Sequence, residues 1–83
     1  PVTWLNFTAE AKGANTSVLN WQVASEINLR NYEVESSADG TNFNTIGTVL
    51  PHNNSNATSN YYFTHNNVNA KVIYYRIKQI DNS

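Results

Sequence analysis

The sequence has no cysteine and no methionine, only three glycines and two prolines, and charged residues at just 13% of its 83 positions. Without cysteine there is no disulfide framework and no thiolate metal site, so packing and hydrogen bonds must hold the fold. Charge is scarce and balanced: five Lys and Arg against six Asp and Glu leave a formal charge of -1 and a pI near 6.1. Such a balance offers no basic surface to nucleic acid or to an anionic membrane, and neither partner is expected. No apolar run approaches the ~20 residues of a membrane-crossing helix, and no basic-then-apolar leader opens the chain, so membrane insertion is not expected either. A start at Pro-Val-Thr-Trp with no methionine anywhere is what a piece cut from a longer protein would show, with any targeting signal outside it.

What the chain has in abundance is asparagine, followed by Thr, and then by Ser, Val and Ala in equal number. Asn and Ser compete with the backbone for hydrogen bonds, and Val and Thr are stiff at the first side-chain torsion; both effects disfavour helix. An all-β fold is expected, in one domain spanning 1–83. A domain of this size buries only ~60% of the surface its unfolded chain exposes, which leaves little room for a large internal pocket.

Period-two patterns place the strands. In LNFTA, Leu5, Phe7 and Ala9 alternate with Asn6 and Thr8; KGAN, residues 12–15, then reads as a turn. In VLNWQVA, Leu19, Trp21 and Val23 share a face. SEINLRN is read as an irregular connection with room for one short helical turn. NYEVESS follows, with Tyr32 and Val34 inward and Glu33 and Glu35 outward. Asp39-Gly40 between alternating segments signals a hairpin, because Gly40 can adopt positive φ and Asp39 can bond its own backbone. Phe43 and Ile46 are the apolar contacts of the returning strand, and Gly47 marks a bulge or a close approach. Residues 51–60 are a polar loop, NYYFTH is a fifth strand, HNNVNAK is a turn, and VIYYRIKQID is read as the longest and central strand.

Six strands at short spacing indicate an antiparallel sandwich with Trp21, Val34, Phe63 and Ile77 in its core. A seven-stranded sandwich would need one more edge strand to pair with the last one. Its absence leaves an open edge through which the chain is expected to self-associate.

The segments PVTWLNFTAEAKG, VLNWQVASEIN, NYEVESSADGTNFNTIGTV and YYRIKQID, in this order, closely resemble a module found near the C-terminus of secreted proteins exported by the type IX secretion system of Gram-negative bacteria. Leu19, Trp21, Ala24, Glu26 and Asn28 match its second element, and Glu35, Ser37, Asp39, Gly40 and Phe43 its hairpin. Tyr74, Tyr75, Arg76, Lys78, Gln79 and Asp81 match its final strand, with Ile77 in place of Leu. The resemblance implies an immunoglobulin-like, fibronectin type III-like β-sandwich lacking its last edge strand. It also implies a secreted or cell-surface location and a non-catalytic role as spacer or docking unit. The partners it implies are the other domains of the parent protein, including the sorting domain.

Chemistry has few candidates. Glu33 and Glu35, two apart on a strand, lie ~6 to 7 Å from each other, within the range of glycosidase carboxyl pairs. Their expected place on the solvent face supplies no burial to separate two pKa values, so they are read as surface charges. His52 and His65 stand beside asparagines without a second ligand at metal-binding spacing. The loop at 52–60 offers amides and hydroxyls but no acid for calcium. No catalytic residue, cofactor or metal site is expected. The competing binding hypothesis rests on aromatics: Trp4, Tyr62 and Tyr74 would form an exposed platform for stacking on carbohydrate.

Overall fold

The structure, a computed structural model, describes residues 1–66 and 72–82. Its described residues are all β and loop, in six strands: β1 (Val2–Ala11), β2 (Ser17–Glu26), β3 (Leu29–Ser37), β4 (Asn44–Val49), β5 (Ser59–His65) and β6 (Tyr74–Asp81). They form two three-stranded antiparallel sheets, ordered β1-β2-β5 and β4-β3-β6. The expected all-β sandwich layout is present. The turn read at HNNVNAK falls largely outside the described residues.

Alternation builds the interior. On β2, Leu19, Trp21 and Val23 are buried while Asn20 and Gln22 between them are not, and on β3 the buried set is Leu29, Tyr32 and Val34. Tyr61 joins from β5, and Phe63 and Ile77 pack against this cluster half-buried. Trp21 stacks on Tyr61 with ring centroids 5.5 Å apart and meets Tyr32 edge-on at the same distance. Burial of each such side chain contributes ~1.5 to 3 kcal/mol, so the aromatic triad dominates the stability of a domain this small.

Two expectations need correction. The connection at SEINLRN is neither irregular nor helical: only Ile27 and Asn28 separate β2 from β3, and the chain changes sheets there. Asn28 makes the corner possible with φ +52°, which Asn tolerates better than most residues. The last strand is neither longest nor central; β3 is central in its sheet, and β6 is an edge. Its residues do alternate, with Tyr74, Arg76 and Lys78 exposed and Tyr75 and Ile77 half-buried, but among the described residues it pairs with β3 alone. The hairpin read at Asp39-Gly40 does join β3 to β4, through a loop over residues 38–43. Gly40 does take positive φ there, at +78°.

Gly47 has both of the properties expected of it. It follows the bulge that shifts the β3–β4 register between Val34 and Glu35, and the Phe63 ring lies so close that a Cβ would be 2.5 Å from Cζ. The sheets approach each other here because position 47 has no side chain.

The two outer segments of the described chain dock on the same corner. Ile27 donates its N–H to the Pro1 carbonyl at 3.0 Å, and Asn82 donates to the Asn28 carbonyl at 2.9 Å. The Trp4 indole N–H reaches Gln79 Oε1 at 3.0 Å, tying β1 to β6 near that end. Further along, bulges at Trp4 and before Asn6 turn β1 aside, and Leu5 and Phe7 stay exposed.

Candidate functional site

Among the carboxylates singled out by sequence, each occupies a different environment. Asp39 organises the loop: its Oδ1 accepts the N–H groups of Thr41 and Asn42, both at 2.8 Å, and its Oδ2 accepts the Asn42 amide at 2.9 Å. These hydrogen bonds hold its carboxyl well below the usual carboxylate range. Glu35 departs from the expected open surface position. It is on the outward face, but the Arg76 guanidinium covers and pairs with it, and Arg76 in turn lies 4.0 Å above the Phe43 ring, so only 7% of Glu35 is exposed. Glu33, opposite Lys78 in the ladder, is outside this stack.

The group that sequence reasoning passed over is Glu26, matched only as part of a resemblance. It is 1% exposed, the most deeply buried acid among the described residues. Its Oε2 accepts the hydroxyls of Tyr32 and, at 2.5 Å, Tyr61; its Oε1 accepts the Asn53 backbone N–H at 2.9 Å. Burial raises the pKa of such a carboxyl, but hydrogen bonds from Tyr32, Tyr61, Asn53 and Asn54 outweigh it, and the net direction is down. Both phenols move the other way. Burial, then the bond to Glu26, pushes Tyr61 up to about 12 and Tyr32 higher still. Charge is thus held by neutral donors, which joins β2, β3, β5 and the 50–58 loop at one point. A strand-end Glu followed by Ile-Asn-Leu, with tyrosines on later strands, was the available signal, but the sequence does not show that these meet.

Asn53 belongs to the same assembly. Its Oδ1 accepts the Leu29 N–H at 2.9 Å and its Nδ2 donates to the Leu29 carbonyl at 3.0 Å. The polar loop therefore contains a residue that substitutes for a neighbouring strand.

The predicted aromatic platform is distributed over the molecule. Tyr62 alternates with buried Tyr61 and stands on the outer face of the β1-β2-β5 sheet, 71% exposed. Tyr74 is on the outer face of the other sheet, against Gly40. Trp4 is 39% exposed, with its ring edge-on to Tyr32 at 5.8 Å. The structure does not bring the three onto one surface. Around Tyr62 there is instead a row of amides: Asn6 donates to Gln22 at 3.2 Å, and Gln22 to Asn60 at 3.0 Å.

The histidines end on separate tyrosines. His52 stacks on Tyr61 at 4.7 Å, whereas His65 Nδ1 bonds the Tyr75 hydroxyl at 2.8 Å. Among the described residues no three His, Cys, Asp or Glu side chains gather where they could hold a metal ion.

A groove of about 370 Å³ opens where β1 and β6 diverge, lined mainly by Trp4, Leu5, Phe7, Tyr75, Arg76 and Ile77. Its walls are largely apolar. Comparison with protein-family models, with curated proteins and with solved structures gave no match.

Proposed function

We propose that this chain is a non-catalytic, immunoglobulin-like or fibronectin type III-like module that spaces or docks the domains of an exported bacterial protein, next to a type IX secretion sorting domain. The strand order carries the reading. The first, second and fifth strands share a sheet, and the third pairs with the fourth and the last, with the chain crossing between sheets at Ile27–Asn28. This follows the immunoglobulin-like division of strands A, B and E from C and F. The sequence resemblance adds the export route and the surface location.

The side chains support a structural role. The buried acid Glu26 is saturated by phenols and a backbone N–H, Glu35 is covered by Arg76, and Asp39 is engaged in its own loop. Each carboxylate stabilises a junction. A body of 39 × 24 × 16 Å keeps its neighbours apart by its bulk.

The second reading, carbohydrate binding, draws on one observation: Tyr62 stands beside an uncharged amide row suited to sugar hydroxyls. Titration of the 83-residue chain with soluble oligosaccharides separates the two. The structural-module reading expects no saturable binding. Saturable binding abolished by Tyr62→Ala, with the unfolding midpoint unchanged, would replace it with the carbohydrate one.

A further inference from the structure

We infer that Glu26 makes Tyr61 a proton-coupled redox site: a one-electron oxidising equivalent that reaches the aromatic core comes to rest on the Tyr61 phenol, while the phenolic proton passes to Glu26. The inference goes beyond the structural-module reading and does not rest on it.

Ring contacts supply the electron path. Trp21 stacks on Tyr61 with centroids 5.5 Å apart and ring planes 18° from parallel, Tyr32 touches both rings, and Trp4 extends the array toward β1. Rings in such contact pass electrons directly. The indole is the poorer resting place, because among the described residues the buried Trp21 Nε1 has no hydrogen-bond partner. An oxidised Trp21 therefore finds no base for its N–H proton and remains a radical cation, which is a strong oxidant. Tyr61 is the opposite case. Its hydroxyl donates to Glu26 Oε2 at 2.5 Å, and its oxygen accepts the His52 backbone N–H at 2.9 Å. Glu26 is ionised in the resting protein, since its hydrogen bonds hold its pKa below the ordinary value. An oxidised phenol is a far stronger acid than a carboxylic acid, so a carboxylate already in contact takes the proton. The His52 N–H then stays to stabilise the radical oxygen. Tyr32 donates to the same Oε2 but meets Trp21 edge-on, with less ring overlap.

Electrons and protons balance as follows. A one-electron oxidant such as a peroxide-derived radical takes an electron from Trp21 and is reduced. Tyr61 returns one electron to the indole while its O–H bond breaks and a new O–H bond forms at Glu26 Oε2. The products are a neutral tyrosyl radical and a neutral carboxylic acid. Tyr75 is the competing phenol, bonded to His65 Nδ1 at 2.8 Å, but its ring contact among the described residues is with His65 and not with a tryptophan.

The test uses the 83-residue chain, azide radicals generated by pulse radiolysis to oxidise tryptophan, and transient absorbance to follow the indole radical into the tyrosyl radical. Combining Tyr62→Phe, Tyr74→Phe and Tyr75→Phe leaves Tyr32 and Tyr61 as the only tyrosines and does not touch the buried cluster. This triple variant should still convert, at a rate independent of protein concentration and slower in heavy water than in light water. In the same background Glu26→Gln, shown to be folded by its tryptophan fluorescence, should slow the conversion by about 100-fold or more, as loss of a positioned base does. Tyr61→Phe should slow it more than Tyr32→Phe. Loss of the tyrosyl signal in the triple variant overturns the proposal, as does equal conversion in the two waters, an unchanged rate in folded Glu26→Gln, or a larger effect of Tyr32→Phe. The heavy-water comparison and the triple variant need no change at Glu26, so the test stands even where the core variants do not fold.

Discussion

Asn53 holds Leu29 as a paired strand would, taking its N–H at 2.9 Å and supplying its carbonyl at 3.0 Å from one side-chain amide. The backbone of Asn53 sits at φ +52°, a conformation Asn adopts more readily than Ala. Asn53→Ala loses both bonds and adds strain, and should destabilise the fold by ~2 kcal/mol in urea unfolding. Asn53→Asp keeps the acceptor but loses the donor and brings a second acid toward Glu26; it should cost at least as much at neutral pH. Stability equal to wild type in both variants would show that Leu29 needs no partner from the loop.

Glu26 makes stability pH-dependent at the acid end. Its folded pKa lies below the ordinary 4.5, so its contribution is present above that value and is lost as pH falls through the lower folded value. Glu26→Gln should therefore be less stable at neutral pH, and the gap should narrow as the wild type loses its charge. Urea midpoints of the two proteins across acid pH measure this directly. A constant gap would mean that the charge itself is not what the tyrosines stabilise.

At the alkaline end the sign is opposite. Tyr61 is raised from 10 to about 12, so the folded state retains a proton that the unfolded chain releases. Stability is full below pH 10 and declines as pH rises through about 12. Tyr61→Phe removes part of that dependence together with the bond to Glu26, and should cost ~1 to 3 kcal/mol at neutral pH. Phenolate absorbance followed against pH locates the transition.

Gly47→Ala should destabilise by ~1 to 3 kcal/mol, because its Cβ would meet the Phe63 ring well inside ordinary contact. The pairing predicts rescue: Phe63→Leu combined with Gly47→Ala should recover part of the loss, a coupling visible only in the double-mutant cycle. Strict additivity would place the clash elsewhere.

Gly40→Val should cost ~1 kcal/mol or more, since φ +78° is costly for a β-branched residue and a Cβ would touch the Tyr74 ring at 3.4 Å. Gly40→Asn should cost less, because Asn tolerates that region. Equal urea midpoints for the two variants would remove backbone conformation as the cause.

The strands are legible wherever burial alternates with exposure. Leu19, Trp21 and Val23 mark β2, and Tyr32 and Val34 mark β3, because each sheet has one face on the core and one facing water. Pattern is a weaker guide on β1. Phe7 and Ala9 do face β2 positions that point into the core, at Trp21 and Leu19, but no layer covers them and both remain exposed. The Ile27–Asn28 corner is hidden because a change of sheet in two residues leaves no periodic trace. The Glu26 assembly is hidden for a different reason: its members come from separate segments, and each alone looks like an ordinary polar or aromatic residue. Loop composition also misleads at Asn53, where one amide among many similar ones has a fixed partner.

Pro1 and Asn82 are moored to adjacent carbonyl and amide groups of the Ile27–Asn28 corner, so these two residues leave the body side by side. A pull applied at those two points would act across the ladders at one extremity and open their hydrogen bonds in succession, like a zipper. Separating those two residues would meet the ladders one pair at a time and never along their full length.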